Sequence, residues 1–227
     1  MNSFLPIKTS DVVELLGAIP HPEGGFFVET HRSGCTPMST RGQTGWTDPK
    51  LVITQDRPKQ QADVRRNGLT SIFWIPTIRS KTLTLAINMS DHVHYYQGGK
   101  PFEYTLYHPD EMVVERQILG PDIGSGHRLQ VVVPGGSWKC GRMLADFDGI
   151  PQEYSIIGES VGPGFDSCDF RMVAAGDLMD LPETVRDALR PYLHENIHVD
   201  DGEELEVDFG GFYEDNRRRE ERVDARS

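Results

Sequence analysis

From Leu69 to Met172 the chain is a train of short segments of mixed apolar and polar residues, broken by glycine and proline turns. That pattern restricts the fold more than any other feature. Strand character runs over residues 69–76, 82–87, 92–97, 102–107, 113–118, 130–133, 137–141, 155–160 and 169–172. Turn residues fall between them at Gly98-Gly99-Lys100-Pro101, Pro109-Asp110, Gly120-Pro121-Asp122 and Gly124-Ser125-Gly126. Many short strands with little intervening helix predict a β-sandwich or barrel. Successive side chains on a strand face opposite sides, so one face can line a hollow while the other packs. The stretch from Ser90 to Trp138 opens on Asp91-His92-Val93-His94-Tyr95-Tyr96 and closes on Pro134-Gly135-Gly136-Ser137-Trp138, placing polar groups among apolar ones at both ends.

The flanks are simpler. Residues 1–19 form a lead-in with a short helix over 10–17, which Thr9 or Ser10 can cap and Gly17 can stop. Pro20-His21-Pro22-Glu23-Gly24-Gly25 is a rigid turn followed by a strand over 26–33. Residues 34–68 lack periodicity and read as a long surface loop with one short strand at 51–53. The main domain therefore spans 20–175. A second helix is expected within 176–194, where Pro182 suits a first turn.

Residues 195–227 read as an acidic, disordered tail. They hold 12 acidic and 5 basic residues, so −7 of the formal net charge of −12 is local to them. The charge argues against nucleic acid as a partner, since that requires a basic footprint. No apolar run approaches the roughly 20 residues that span a bilayer. Three cysteines, Cys35, Cys140 and Cys168, lack metal-type spacing and fit a reducing compartment, so the expectation is a cytoplasmic protein with no membrane partner.

Several ordered motifs carry a resemblance. Pro20-His21-Pro22-Glu23-Gly24-Gly25-Phe26-Phe27-Val28-Glu29-Thr30-His31-Arg32-Ser33 resembles the opening signature of an uncharacterised cupin branch whose members begin PHPEGGYYRETYRS. The likeness continues through Thr70–Ile75, Val93–Gly98, Leu119–Asp122, Gln130–Trp138 and Val161–Asp166. It implies an all-β double-stranded β-helix, the jelly roll of the RmlC-like cupin superfamily, with short flanking helices and commonly a homodimer. It does not imply one activity, because cupins host oxygenases, epimerases, isomerases and storage proteins.

The metal-binding cupin pattern fits this chain poorly. With Gly98 as its glycine, its two histidine positions fall near Leu85 and Ile87, its glutamate position at Asp91 and its later histidine near Lys139. A divalent ion needs three or four N, O or S donors around one point. His92-x-His94 is the tempting alternative, but the next glutamate is Glu103. No metal and no other cofactor is expected.

Proton transfer remains. Histidine titrates near neutrality and serves as base or acid. The candidate base is His94, with Asp91 or Tyr96 as its assistant; a buried imidazole with a satisfied hydrogen bond is the structural alternative. Gln130, Trp138, Phe73 and Glu29 are candidate ligand-binding residues, Glu29 only if it faces inward. Glu23 is read as a turn carboxylate bonding the local backbone. The function expected is a metal-independent isomerase, epimerase or cyclase acting on a small carbonyl-bearing metabolite. The alternatives are a non-catalytic small-molecule-binding cupin and a metal-dependent oxygenase.

Overall fold

The structure, a computed structural model, describes residues 7–33 and 67–194. The expected strand at 51–53, nearly all of the 34–68 loop, Cys35 and the acidic tail lie outside the described residues. Eleven strands form two antiparallel sheets among the described residues. The first has the order β1 (Ile19–Pro20), β2 (Phe26–Arg32), β3 (Thr70–Ile75), β10 (Ser155–Gly162), β5 (Asp91–Gly99), β8 (Gln130–Val133). The second has the order β11 (Phe170–Met172), β4 (Thr82–Asn88), β9 (Trp138–Met143), β6 (Phe102–His108), β7 (Val113–Leu119). Most neighbours in each sheet are not consecutive in sequence, as β3 beside β10 shows. This is the arrangement of a jelly roll.

The alternation of each strand builds the interior. Trp74, Val131, Val133 and Ile157 from the first sheet pack with Leu83, Phe102, Tyr104, Leu106 and Met143 from the second. Trp74 and Phe102 meet edge to face across the gap, with ring centroids 4.9 Å apart. The second sheet also buries its outer face. Leu85, Ile87, Tyr107 and Cys140 pack there under Val173, Leu178, Val185, Leu189 and Leu193 from the C-terminal segment. That segment contains helix α2 (Glu183–Leu189), which begins just after Pro182.

Helix α1 (Thr9–Leu16) packs Val12 against Ile75 and Tyr154, and Gly17 in the left-handed conformation (φ 64°) closes it. The expected cap is corrected: Thr9 already lies inside the helix, Ser10 Oγ donates to Asp11, and Lys8 takes the cap position without a side-chain bond.

The turn that follows is fastened to both sheets. Trp74 Nε1 on β3 donates to the Gly24 carbonyl at 2.8 Å, and the Thr84 N–H on β4 donates to the Glu23 carbonyl at 2.8 Å. Gly25 has φ 73°, and a Cβ there would sit 2.7 Å from the Ile75 carbonyl oxygen. Only glycine fits that approach.

Candidate functional site

The two sheets enclose a set of ionisable side chains that the sequence does not place together. On β5, His92 and His94 share the face that points between the sheets. His94 is fully buried and His92 is 5% exposed. Glu159 on the neighbouring β10 stands directly opposite His94 in register. Its Oε1 lies 2.5 Å from His92 Nδ1, and its Oε2 lies 3.6 Å from His94 Nδ1. Lys139 reaches in from the other sheet: on β9 it shares the inward face with Met143, and its Nζ is 3.7 Å from Glu159 Oε1 and 3.9 Å from Glu23 Oε2. Glu23 arrives from the fastened turn. Tyr104 on β6 completes the group with its hydroxyl 3.1 Å from His94 Nδ1.

Charge in this interior is decided by competition between burial and pairing. Burial alone would lower the Lys139 pKa, but Glu159 and then Glu23 outweigh it and leave the ammonium above its ordinary value. Burial would raise Glu159; Lys139 and the two imidazoles outweigh it and hold the carboxylate well below the usual range. Glu23 is raised to about 7, by burial first, with Lys139 opposing and Glu159 adding. Burial lowers His94 to about 3, lowers His92 and, in the turn, lowers His21 to about 4. The site at neutral pH therefore holds one cation, one firm anion, one carboxyl that exchanges its proton, and neutral imidazoles.

The hydrogen bonds constrain the tautomers. Ionised Glu159 only accepts, so His92 carries its proton on Nδ1 and leaves Nε2 as a free lone pair. Burial, with Glu159 and Glu23 adding, holds the Tyr104 hydroxyl well above its ordinary pKa, and His94 Nδ1 is the acceptor within its reach. With the hydroxyl as donor, His94 carries its proton on Nε2. His92 Nε2, His94 Nε2 and Glu23 Oε2 are all buried without a hydrogen-bond partner. Such atoms are uncommon in a protein interior and set this group apart.

A divalent ion is the obvious occupant to test, since donor atoms of His92, His94 and Glu159 all lie within 4.8 Å of one another. Two imidazoles and a carboxylate are a suitable donor set. The surroundings do not fit. The Lys139 ammonium already neutralises Glu159 from 3.7 Å, and the same Glu159 oxygen is hydrogen-bonded to His92 Nδ1. A second cation there would face a fixed charge in a low-dielectric interior.

The structure places the sequence-derived candidates unevenly. His94 is at the centre. Tyr96 shares its strand face, but the Tyr96 hydroxyl donates to the Gly99 carbonyl at 2.6 Å. Asp91 is on the opposite face, exposed, and accepts from the Gly135 N–H at 2.8 Å, so it shapes a turn instead of orienting an imidazole. Gln130 is exposed beside inward Val131. Trp138 packs edge to face on Tyr107 in the outer layer of the second sheet. Phe73 is on the reverse face from Trp74, and Glu29 is exposed in a bidentate pair with Arg32. The reading of Glu23 as a carboxylate bonded to local backbone is corrected, because its Oε2 faces Lys139 and has no hydrogen-bond partner.

Glu159 and Lys139 carry no sequence signal that would join them to His92. The one clue is an ionisable residue at an inward position of an otherwise apolar strand. In Ser155–Gly162 that residue is Glu159; in Trp138–Met143 it is Lys139.

Comparisons with other proteins agree with this architecture. The profile of a family described as Cupin superfamily (DUF985) matches residues 10–173. The uncharacterized protein YML079W of Saccharomyces cerevisiae is 31% identical over 179 residues, covering 76% of this chain and 80% of that protein. A hypothetical protein from Leishmania major superposes with a TM-score of 0.64 at 24% identity, covering 82% of this chain and 99% of that one. Protein SO0799 from Shewanella oneidensis gives a TM-score of 0.60 at 21% identity, covering 82% and 98%. Matching most of its length in ordered motifs and in strand layout, the chain belongs to the DUF985 family of the cupin superfamily.

Proposed function

We propose that the protein is a metal-independent isomerase that moves a proton next to a carbonyl of a small metabolite. The observation that carries this reading is the His92–Glu159 pair, with His92 Nε2 left as a buried, unpaired base. A carboxylate behind an imidazole fixes its tautomer and stabilises the imidazolium that forms when it takes a proton, as in hydrolase triads. In the step proposed, a C–H bond beside the carbonyl breaks and its proton passes to His92 Nε2. The electron pair moves onto the carbonyl oxygen, for which the Lys139 ammonium and a His94 N–H are the candidate donors. Preorganised positive groups of this kind supply much of the stabilisation in such reactions. Return of the proton to the same carbon or its neighbour completes an epimerisation or a tautomerisation with no net redox change.

His92 is thus the base, and His94, whose Nδ1 pairs with the Tyr104 hydroxyl, is the hydrogen-bond donor. Proton NMR in D2O tests this on a panel of hydroxyketones, sugars and oxo acids. At least one should lose the hydrogen beside its carbonyl in the presence of the protein, and His92→Gln should abolish the exchange with its thermal unfolding within a few degrees of the parent. Exchange that persists in His92→Gln, or no exchange across the panel, rejects the reading. The three unpaired buried atoms equally suit a protein that only sequesters a ligand, and recovery of a bound molecule chemically unaltered would favour that second reading.

A further inference from the structure

Two carboxyl groups share one ammonium in this interior. Lys139 Nζ lies 3.7 Å from Glu159 Oε1 and 3.9 Å from Glu23 Oε2, and each of the three residues is less than a tenth exposed. The other titratable groups around them are neutral. They are His92 and His94 beside Glu159, the Tyr104 hydroxyl, and His21, whose Nδ1 accepts from the Glu23 N–H at 3.1 Å. One cation balances one carboxylate. A second carboxylate without compensation is costly in so buried a place, so one of the two acids holds a proton. The hydrogen bonds identify which. Glu159 Oε1 is bonded to His92 Nδ1, whereas Glu23 Oε2 has no hydrogen-bond partner. Glu23 is the acid that gains and loses the proton.

Its ionisation reaches further than its own contacts. With Glu23 protonated, the ammonium serves Glu159 alone and offsets the charge that Glu159 presents to His92. With Glu23 ionised, the same ammonium answers two carboxylates. Glu159 is then less fully neutralised, and the imidazole bonded to it accepts a proton more readily. The connection runs from Glu23 in the fastened turn to Lys139 on β9, Glu159 on β10 and His92 on β5. We propose that Glu23 is a positioning residue that acts through Lys139, so that loss of its carboxyl proton makes His92 more basic. As a regulator of the isomerase base it rests on the proton-transfer reading above; as a link between two side chains it stands without it.

The full-length protein, carrying carbon-13 in its glutamate carboxyls and nitrogen-15 in its imidazoles, is titrated by NMR between about pH 5.5 and 8.5. One glutamate carbon should titrate with a midpoint near 7. The His92 Nδ1–H proton should move downfield with that same midpoint, as its bond to Glu159 strengthens. Glu23→Gln should remove both changes; coincidence of the two midpoints is read in the parent and needs no variant to fold. A His92 signal that is flat across the window, a midpoint matching no glutamate carbon, or the same movement kept in Glu23→Gln overturns the proposal. Deuterium exchange on the panel named above, followed over the same pH window, separates this link from the reaction. Coincident midpoints with no exchange on any compound uphold the link and remove the proton-transfer reading. Exchange that His92→Gln abolishes, beside a flat His92 signal, upholds proton transfer and removes the link. Exchange that rises with pH through the shared midpoint upholds both.

Discussion

His92 Nδ1 on β5 meets Glu159 Oε1 on β10 at 2.5 Å, and Lys139 Nζ from the opposite sheet lies 3.7 Å from that same oxygen. One carboxylate oxygen therefore serves an imidazole in its own sheet and an ammonium in the other. Deleting it changes both.

Glu159→Gln leaves the Lys139 ammonium buried with Glu23 as its remaining charged partner. A loss of about 3–5 kcal/mol in unfolding free energy is expected, the usual result of stripping one member from a buried pair. Lys139→Met should be costly for the converse reason. The double variant Glu159→Gln/Lys139→Met should lose less than the sum of the two by about 1–3 kcal/mol, measured by urea unfolding. Additive losses would mean that the two groups do not interact.

Acid stability should carry the opposing signatures of Glu23 and the histidines. Glu23, raised to about 7 from 4.5, binds its proton more tightly in the folded state, so its contribution favours the fold at low pH and fades as pH rises from 4.5 to 7. His94, lowered to about 3, and His21, lowered to about 4, do the reverse: the unfolded chain takes up protons below their ordinary 6.5, and stability falls as pH falls. Glu23→Gln removes the compensating group. The decline in unfolding free energy on acidification should steepen by up to about 1.4 kcal/mol per pH unit between 4.5 and 7. Matching slopes in thermal scans of parent and variant across that window would refute the assignment.

The tautomers can be read directly. Nitrogen-15 NMR of imidazole-labelled protein at neutral pH should show His92 protonated on Nδ1 and His94 on Nε2. Tyr104→Phe should release the His94 tautomer while leaving that of His92 unchanged, and should cost about 1–3 kcal/mol for an unsatisfied buried nitrogen. A His94 signal indifferent to the substitution would show that Tyr104 does not set it.

If the ammonium is what keeps a divalent ion out, Lys139→His should let one in. That variant adds a neutral nitrogen donor at the cation's place beside His92, His94 and Glu159. It should retain about one nickel or zinc ion per chain through gel filtration, by elemental analysis, whereas the parent should retain neither. Equal retention by the parent would end the exclusion argument.

The sequence resolves the strands of this protein better than its chemistry, for a physical reason. Strand positions follow from local alternation and turn residues, and β8 at Gln130–Val133 falls where that pattern puts it. The site depends on which strands become neighbours. Glu159 lies 65 residues beyond His94 and becomes its cross-strand partner only through the pairing of β10 with β5. Strand phase alone excludes Gln130 and Trp138, since each sits one residue from an inward side chain, Val131 and Lys139. His94 was legible because it sits mid-strand within the family-like motif Val93–Gly98. Lys139 was visible as a departure from the metal pattern, but its position in the site depends on the sheet-on-sheet packing.

The Lys139–Glu159 pair spans the sandwich, one member from each sheet. Prising the layers apart would draw a cation off its carboxylate in an interior with little water to replace either partner. The gap between the layers is thereby gauged by electrostatics as well as by hydrocarbon contact.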